Sequence, residues 1–400
     1  MAANNRPVFL PNVHLHVWLV AAFLFARLVS LATMPLEGLR GYGDFINYFE
    51  ISGLPGLPFI HYWVEYPPVF PFLAKGLHLV SGDQEHVFYY LLVLILSLAD
   101  AGSLYLFIRL ASRWFSPDQA LLRSGAYLLA LVSLAYSWWY LDPLVVFSML
   151  LGLTLLLDRR RMKAGLALGM GVATKFFPVL VILAAWRRAS WRQVLFLASL
   201  SLAPVLLLIG LLWAQSPAFT LASLRSQASK GSWETVWALV DGNLNTGSFG
   251  AFDERLDADT ATRSRANPAV VSPWISLLVF GAAGLVVLLA AHPQDDRQSA
   301  ALVGFAWCLL LLWSPGWSPQ WILYLLPLIL LVLPARRAYL FGAVLVLVGL
   351  LEWPVLLSRG YFSMLWAPVV LRTFLLATLA ASFAGSVSLK WSGIMRYRNR

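Results

Sequence analysis

Asp44 lies in Tyr42-Gly43-Asp44-Phe45, just beyond an apolar run that ends near residue 34. A carboxylate at the edge of a bilayer is partly desolvated, which raises its pKa and makes it a usable general base. Glu50, His61 and Glu65 follow in the same polar segment, which closes on Tyr66-Pro67-Pro68. Asp142 comes directly after Trp138-Trp139-Tyr140-Leu141. Asp100 and Lys175 sit inside apolar surroundings, where an ionised group is expensive and needs an opposite charge. Asp100 has two readings, a bridge to a neighbouring helix or a catalytic group. Lys175 also has two. It is the counter-ion of Asp44, Asp100 or Asp142, or it is a point charge for the phosphate of a lipid-linked ligand.

Aromatic residues are interleaved with these polar ones. Trp and Tyr collect at membrane interfaces without further function, and they also stack on the apolar faces of sugar rings. Both readings fit His61-Tyr62-Trp63-Val64-Glu65-Tyr66 and Ser232-Trp233-Glu234-Thr235-Val236-Trp237. The Trp and Val positions of the second run suit one face of a short interfacial helix. The charged stretch from Asp253 to Arg265 reads as a solvated loop. Ser314-Pro315-Gly316-Trp317-Ser318-Pro319-Gln320-Trp321 reads as a rigid turn, with Gln320 one helical turn before Tyr324. There is no GxxxxGK[ST], no GxGxxG after a strand, no HExxH and no GxSxG. No Cys/His cluster has zinc spacing. The single cysteine, Cys308, permits no intrachain disulfide.

The elements that must hold these residues are membrane helices. Sixty per cent of the 400 residues are hydrophobic and 12% are charged. Apolar runs of roughly 18 or more residues, long enough to cross a bilayer core, recur from end to end. Their backbone amides must be satisfied within the segment, so helices are expected. The net charge of +10 sits in short clusters between these runs, as the positive-inside rule expects, and gives no reason to invoke nucleic acid. Arg159-Arg160-Arg161-Met162-Lys163, the group Arg187, Arg188 and Arg192, Arg336-Arg337, and the tail with Lys390, Arg396, Arg398 and Arg400 are the strongest clusters. With all four cytoplasmic, both termini are cytoplasmic and the segments 35–85 and 215–268 are external. The expected spans are 12–34, 86–111, 119–139, 143–157, 192–213, 269–291, 299–313, 321–334, 338–357 and 368–389. The first lacks a cleavage site and reads as an uncleaved span. The whole chain, 1–400, then forms one integral membrane domain in a plasma membrane, with external loops carrying short interfacial helices.

The stretch 164–185 lies between two basic clusters that belong on the same side. One crossing cannot connect them. A pair of short helices meeting at Thr174-Lys175-Phe176-Phe177-Pro178 can, because proline disfavours helical geometry in the residue before it; the other reading is one ordinary span, with one of the basic clusters on the outer side. Each arm is about 16 Å long, which puts Lys175 at the tip, in mid-membrane or beyond. Counting the pair as two brings the total to about twelve crossings of an all-α bundle.

The order of these features resembles the GT-C superfamily of membrane glycosyltransferases. An Asp soon after the first span is followed by an aromatic loop ending in Tyr66-Pro67-Pro68 and by Asp142. The Gly-rich 164–174 segment, Lys175-Phe176-Phe177-Pro178 and Ser314-Pro315-Gly316-Trp317 come next. The chain is most similar to bacterial polyprenyl-phosphate-mannose-dependent mannosyltransferases and, more distantly, to GPI mannosyltransferases. The resemblance implies an external active site, a polyprenyl-phosphate sugar donor carrying mannose or another hexose, and a lipid, glycan or protein acceptor. It implies Asp44 as the base and Lys175 on the donor phosphate. Asp142, with Glu50 and Glu65 as rivals, is the second acid. His61, Tyr66, Trp233, Glu234, Trp317 and Gln320 are the further substrate-binding candidates. Many such enzymes carry a DxD or EDD-like pair of acids; here Phe45 follows Asp44, so no metal or other cofactor is assigned. A polyprenyl phosphate is already a good leaving group, and the transfer needs one base and one positive charge. The rival reading is a secondary transporter or flippase for a lipid-linked or small anionic substrate, since broken helices with buried charges serve that purpose too.

Overall fold

A computed structural model describes residues 13–40, 44–134, 136–244 and 250–390. Gly41-Tyr42-Gly43, the tail arginines and the N-terminus up to residue 12 lie outside the described residues. The described chain is all-helical, with isolated bridges and no strand. Helix α1 (Val13–Thr33) is followed by the short α2 (Leu36–Arg40), α3 (Phe45–Gly53) and α4 (Val69–Ser81), which fold the first polar segment into three helical pieces. Then come α5 (Glu85–Trp114), α6 (Pro117–Ser133), the single turn α7 (Tyr136–Trp139) and α8 (Asp142–Leu157). Helix α9 (Arg161–Thr174) and a 3-10 helix (Phe177–Ala185) form the broken pair. Helices α10 (Trp191–Gln215), α11 (Pro217–Ser229) and α12 (Val236–Asp241) precede two short 3-10 turns, Phe252–Leu256 and Ala258–Thr262. The last third holds α13 (Pro273–Ala290), α14 (Asp296–Trp313), α15 (Ile322–Val332), α16 (Ala335–Leu350) and α17 (Trp366–Ala384).

Among the described residues, six helical stretches are long and apolar enough to cross a membrane: His16–Thr33, Glu85–Trp114, Trp191–Gln215, Pro273–Ala290, Ala335–Arg359 and Phe362–Ala384. The protein is an integral membrane protein of all-α architecture. The other expected crossings appear as the shorter helices α6, α8 and α15, the broken pair, and α14, which matches α13 in length but opens on the charged Asp296 and Arg297. Helix α15 is buried along its whole length, whereas α1, α10 and α13 leave most of their apolar side chains exposed. A helix that is apolar on all sides and uncovered by protein suits a lipid environment.

The bundle has two chemically different ends. Helix α8 carries Asp142 at its start and Asp158 just past its end, about 24 Å apart at the helical rise. At the Asp158 end, Arg109 and Arg113 of α5 meet Asp158 at 2.6 and 3.2 Å. Arg113 also meets Asp296 at 2.5 Å, and Arg188 reaches Asp296 at 2.6 Å.

The broken pair connects these ends in the way the basic clusters require. Arg161, at the start of its first arm, and Arg188, beyond its second, share one recess with Asp296. Its tip stands beside Asp142. The break falls at Lys175, which is extended (φ −163°, ψ 135°). This is earlier than the proline rule suggests. Pro178 opens the 3-10 arm, where a missing N–H costs nothing. Close packing explains the glycines of α9. A Cβ on Gly165 would come within 2.6 Å of Leu200 in α10, and one on Gly171 within 2.7 Å of Ser148 in α8. Small residues let the helices approach backbone to backbone.

Candidate active site

Asp44 occupies the N-cap position of α3 without capping it. Its carboxylate instead accepts from Asn47 Nδ2 (3.4 Å), Tyr48 Oη (3.3 Å) and Tyr66 Oη (3.5 Å). The side chain is partly open to a cavity of about 760 Å³. Burial, and then the Glu65 carboxylate, push its pKa up to about 6, while Lys230 and Lys175 oppose the rise. A carboxylate in that position is a base tuned toward neutral pH.

Asp142 and Lys175 meet in a second part of the cavity lining. Lys175 Nζ donates to Asp142 Oδ1 at 2.8 Å, and Tyr324 donates to the same oxygen. The Asp142 side chain is 1% exposed and that of Lys175 is 19% exposed, so the carboxylate lies behind and the ammonium faces the cavity. The ammonium also lies over the rings of Phe177 and Trp321, each at 5.4 Å. Of the three acids that sequence offers to Lys175, Asp142 is the partner. Asp100 pairs with Arg27 at 3.5 Å, away from the cavity, which answers its two readings in favour of the helix bridge.

Glu65 and Tyr66 both line the cavity. Arg255 holds Glu65 through both carboxylate oxygens, one at 3.1 Å. Burial pushes the Glu65 carboxyl up, but the Arg255 guanidinium and the Lys230 ammonium together more than reverse that and hold it below its ordinary range. Arg255 also stacks at 4.5 Å on Trp63, whose indole donates to Thr260 Oγ1 at 2.9 Å. The stretch expected to be a solvated loop therefore folds onto the first polar segment. Its opposite charges read as solvation in sequence because Glu65, the partner of Arg255, is 190 residues away.

A third part of the lining comes from the segment after α11. Trp233 does not belong to the short helix that follows it. The Thr235 side chain accepts from Ala238 N and caps α12, so the helix begins at Val236. Trp233 pairs instead with Gly316: Trp233 N donates to Pro315 O at 3.2 Å and Trp317 N to Trp233 O at 3.0 Å. Only a glycine fits there, because a Cβ on Gly316 would come within 2.2 Å of the Trp233 ring. Trp237 anchors the same segment by donating to Leu312 O at 3.0 Å.

Trp233 and Gln320 line the cavity, as do Asp44, Glu65, Tyr66, Asp142 and Lys175. Trp317 and Glu234 do not. Trp317 is buried beneath the Arg372 guanidinium (4.3 Å), and Arg372 donates to the Glu234 backbone carbonyl and the Glu352 carboxylate. Glu50 and His61 are also outside. Glu50 is exposed on α3, about 240° around the helix from Asp44. His61 Nδ1 accepts from Leu57 N at 3.0 Å and braces a turn. Sequence reasoning missed Lys230, Tyr48, Trp321 and Asp241, which also line the cavity. Lys230 was detectable as a lone cation three residues before Trp233. Among the described residues no cluster of three or more His, Cys, Asp or Glu could hold a metal ion.

Residues 63–315, more than half of the chain, match the model of the family described as Glycosyltransferase family 87. No curated protein sequence matches the chain. The solved apo structure of the Archaeoglobus fulgidus oligosaccharyltransferase is similar at 13% identity and a TM-score of 0.42, over 94% of this chain and 56% of that one. The chain thus spans little more than half the length of that protein.

Proposed function

The chain belongs to glycosyltransferase family 87, a family of GT-C type, and on that premise we propose that it moves a hexose from a polyprenyl-phosphate donor to a lipid, glycan or protein acceptor outside the plasma membrane. The observation that carries this reading is one cavity lined by both Asp44 and Lys175, close enough for the ammonium to act on the carboxylate. In the reaction the acceptor oxygen bonds to the sugar's anomeric carbon. The bond from that carbon to the phosphate oxygen breaks, and the phosphate keeps the electron pair. The acceptor proton passes to Asp44, the base. Lys175, steadied by Asp142, stabilises the departing phosphate.

Where the cavity opens supports a membrane-borne donor. Its lining includes Phe176, 47% exposed, and Trp274, 78% exposed at the start of the uncovered helix α13. A prenyl chain lying along these apolar surfaces would leave its phosphate beside Lys175. The positive-inside rule supports an external site and cytoplasmic termini, because the cavity lies at the end opposite Arg159–Arg161 and Arg188. The segments 35–85 and 215–268 then work as the external walls of one membrane domain. Family membership also counts against the transporter reading.

The test is Asp44→Asn, assayed as sugar transfer from a polyprenyl-phosphate hexose in purified membranes. Transfer should fall by roughly 10²–10⁴-fold, the range for loss of a general base, with the protein still folded. Full activity in that variant would remove Asp44 from the role.

A further inference from the structure

The cavity contains a second lysine that neither the sequence motifs nor the mechanism above employs. Lys230 directly follows α11 and lies over the Trp233 ring at 5.6 Å. Trp233 packs edge-on against Trp321 (centroids 6.4 Å apart, 74°), and Lys175 lies over Trp321 at 5.4 Å. Two ammonium groups thus rest on two touching indoles that line the same cavity. The backbone beneath Lys230 is held on both sides. Ser229 Oγ donates to Ala261 O at 2.9 Å, and Trp233 is tied to Pro315 and Trp317. A cation on an anchored platform is placed for a ligand rather than for solvent.

We propose that Lys230 is a second phosphate-binding residue of the donor site, acting together with Lys175 across the Trp233–Trp321 pair. This rests on the reading of the cavity as a polyprenyl-phosphate site. The charges of the reaction call for two cations. The donor phosphodiester carries one negative charge, and the released monoester carries about −1.5 to −2 at neutral pH. Lys175 already serves Asp142 at 2.8 Å. Lys230 stands where Asp44, Glu65, Lys175 and Arg255 all act on it. Glu65 is held by Arg255 in a two-oxygen pair. As Asp44 takes the acceptor proton it loses its charge, while the leaving phosphate gains one. A lysine on which Glu65 and then Asp44 act before transfer keeps Glu65 and gains the phosphate as Asp44 is neutralised. That is electrostatic stabilisation already in place when the charge develops.

The experiment measures binding of farnesyl phosphate, and of farnesol as the uncharged control, to the full-length protein in nanodiscs. Wild type is compared with Lys230→Met and Lys230→Arg. Lys230→Met should weaken farnesyl phosphate binding by about ten- to a hundredfold, as expected for losing a charged hydrogen-bond donor. Farnesol binding should be unchanged, and Lys230→Arg should restore most of the phosphate affinity. Wild-type affinity for farnesyl phosphate in Lys230→Met overturns the proposal while leaving the donor reading intact. An equal loss of farnesol binding overturns it in favour of a structural role. If wild type itself ignores farnesyl phosphate and transfers sugar from a nucleotide donor, the donor reading fails and this inference fails with it.

Discussion

The two ends of the bundle use the same kinds of side chain for opposite purposes. At the basic end, Arg109, Arg113 and Arg188 share Asp158 and Asp296, and the arginine side chains are 30–49% exposed. Water screens such pairs, so each contributes little to stability. At the cavity end, Asp142 and Lys175 meet beneath aromatic rings, and Asp44 is ringed by tyrosines. There burial weakens screening, and each charge alters the behaviour of the next. Acid–base pairing alone does not distinguish an anchor from an active site; the medium around the pair does.

The same amide-for-acid change at both ends should break this symmetry most visibly. Asp44→Asn loses roughly 10²–10⁴-fold in transfer, whereas Asp158→Asn, assayed in the same membranes, keeps activity within about twofold of wild type.

Stability should show the next largest contrast. Asp142→Asn leaves Lys175 facing an uncharged amide. Breaking a buried pair costs about 3–5 kcal/mol, and the part-exposure of Lys175 puts the expected loss at or below the lower end of that range. Denaturation of the purified protein in detergent would measure it. Lys175→Met introduced alongside should recover part of the loss; no recovery would mean that the pair is not the relevant contact.

A smaller effect concerns pH. Asp44 must be ionised to accept a proton, so kcat/KM should fall as pH drops through about 6. The groups that act on it are Glu65, Lys230, Lys175 and Asp142, and Tyr48 and Tyr66 donate to it. Lys230→Met removes a positive charge that favours the ionised form, so the acid limb of its residual activity should move to higher pH. An unmoved limb would mean that the titrating base is another group.

The smallest effect belongs to the exposed network. Arg113→Gln should change unfolding free energy by about 0–1 kcal/mol, and less in high salt.

Much of the architecture was legible because membrane helices obey two strong rules, length and flanking charge. The re-entrant pair at 164–185 followed from basic clusters on both sides of a segment too short to return as a full span. The structure places it there, with Lys175 at its tip. The break falls at Lys175 and Phe176, inside the Thr174–Pro178 stretch that the sequence marks. Local punctuation was read less well at Trp233, which belongs to a bridge with Gly316 instead of a helix and so depends on a contact far along the chain.

The sequence by itself determined that the protein is an all-helical membrane bundle, that its basic residues gather apart from Asp44, and that Lys175 needs an acid. Composition and charge carry that information locally, because a bilayer makes every buried amide and charge costly. Only the tertiary structure decided which acid Lys175 meets and that Glu65 is held by Arg255. It also decided that Glu50 and His61 face away while Lys230 faces in. Those outcomes depend on helix phase inside the first polar segment and on pairings across as many as 190 residues, which no local pattern of residues encodes.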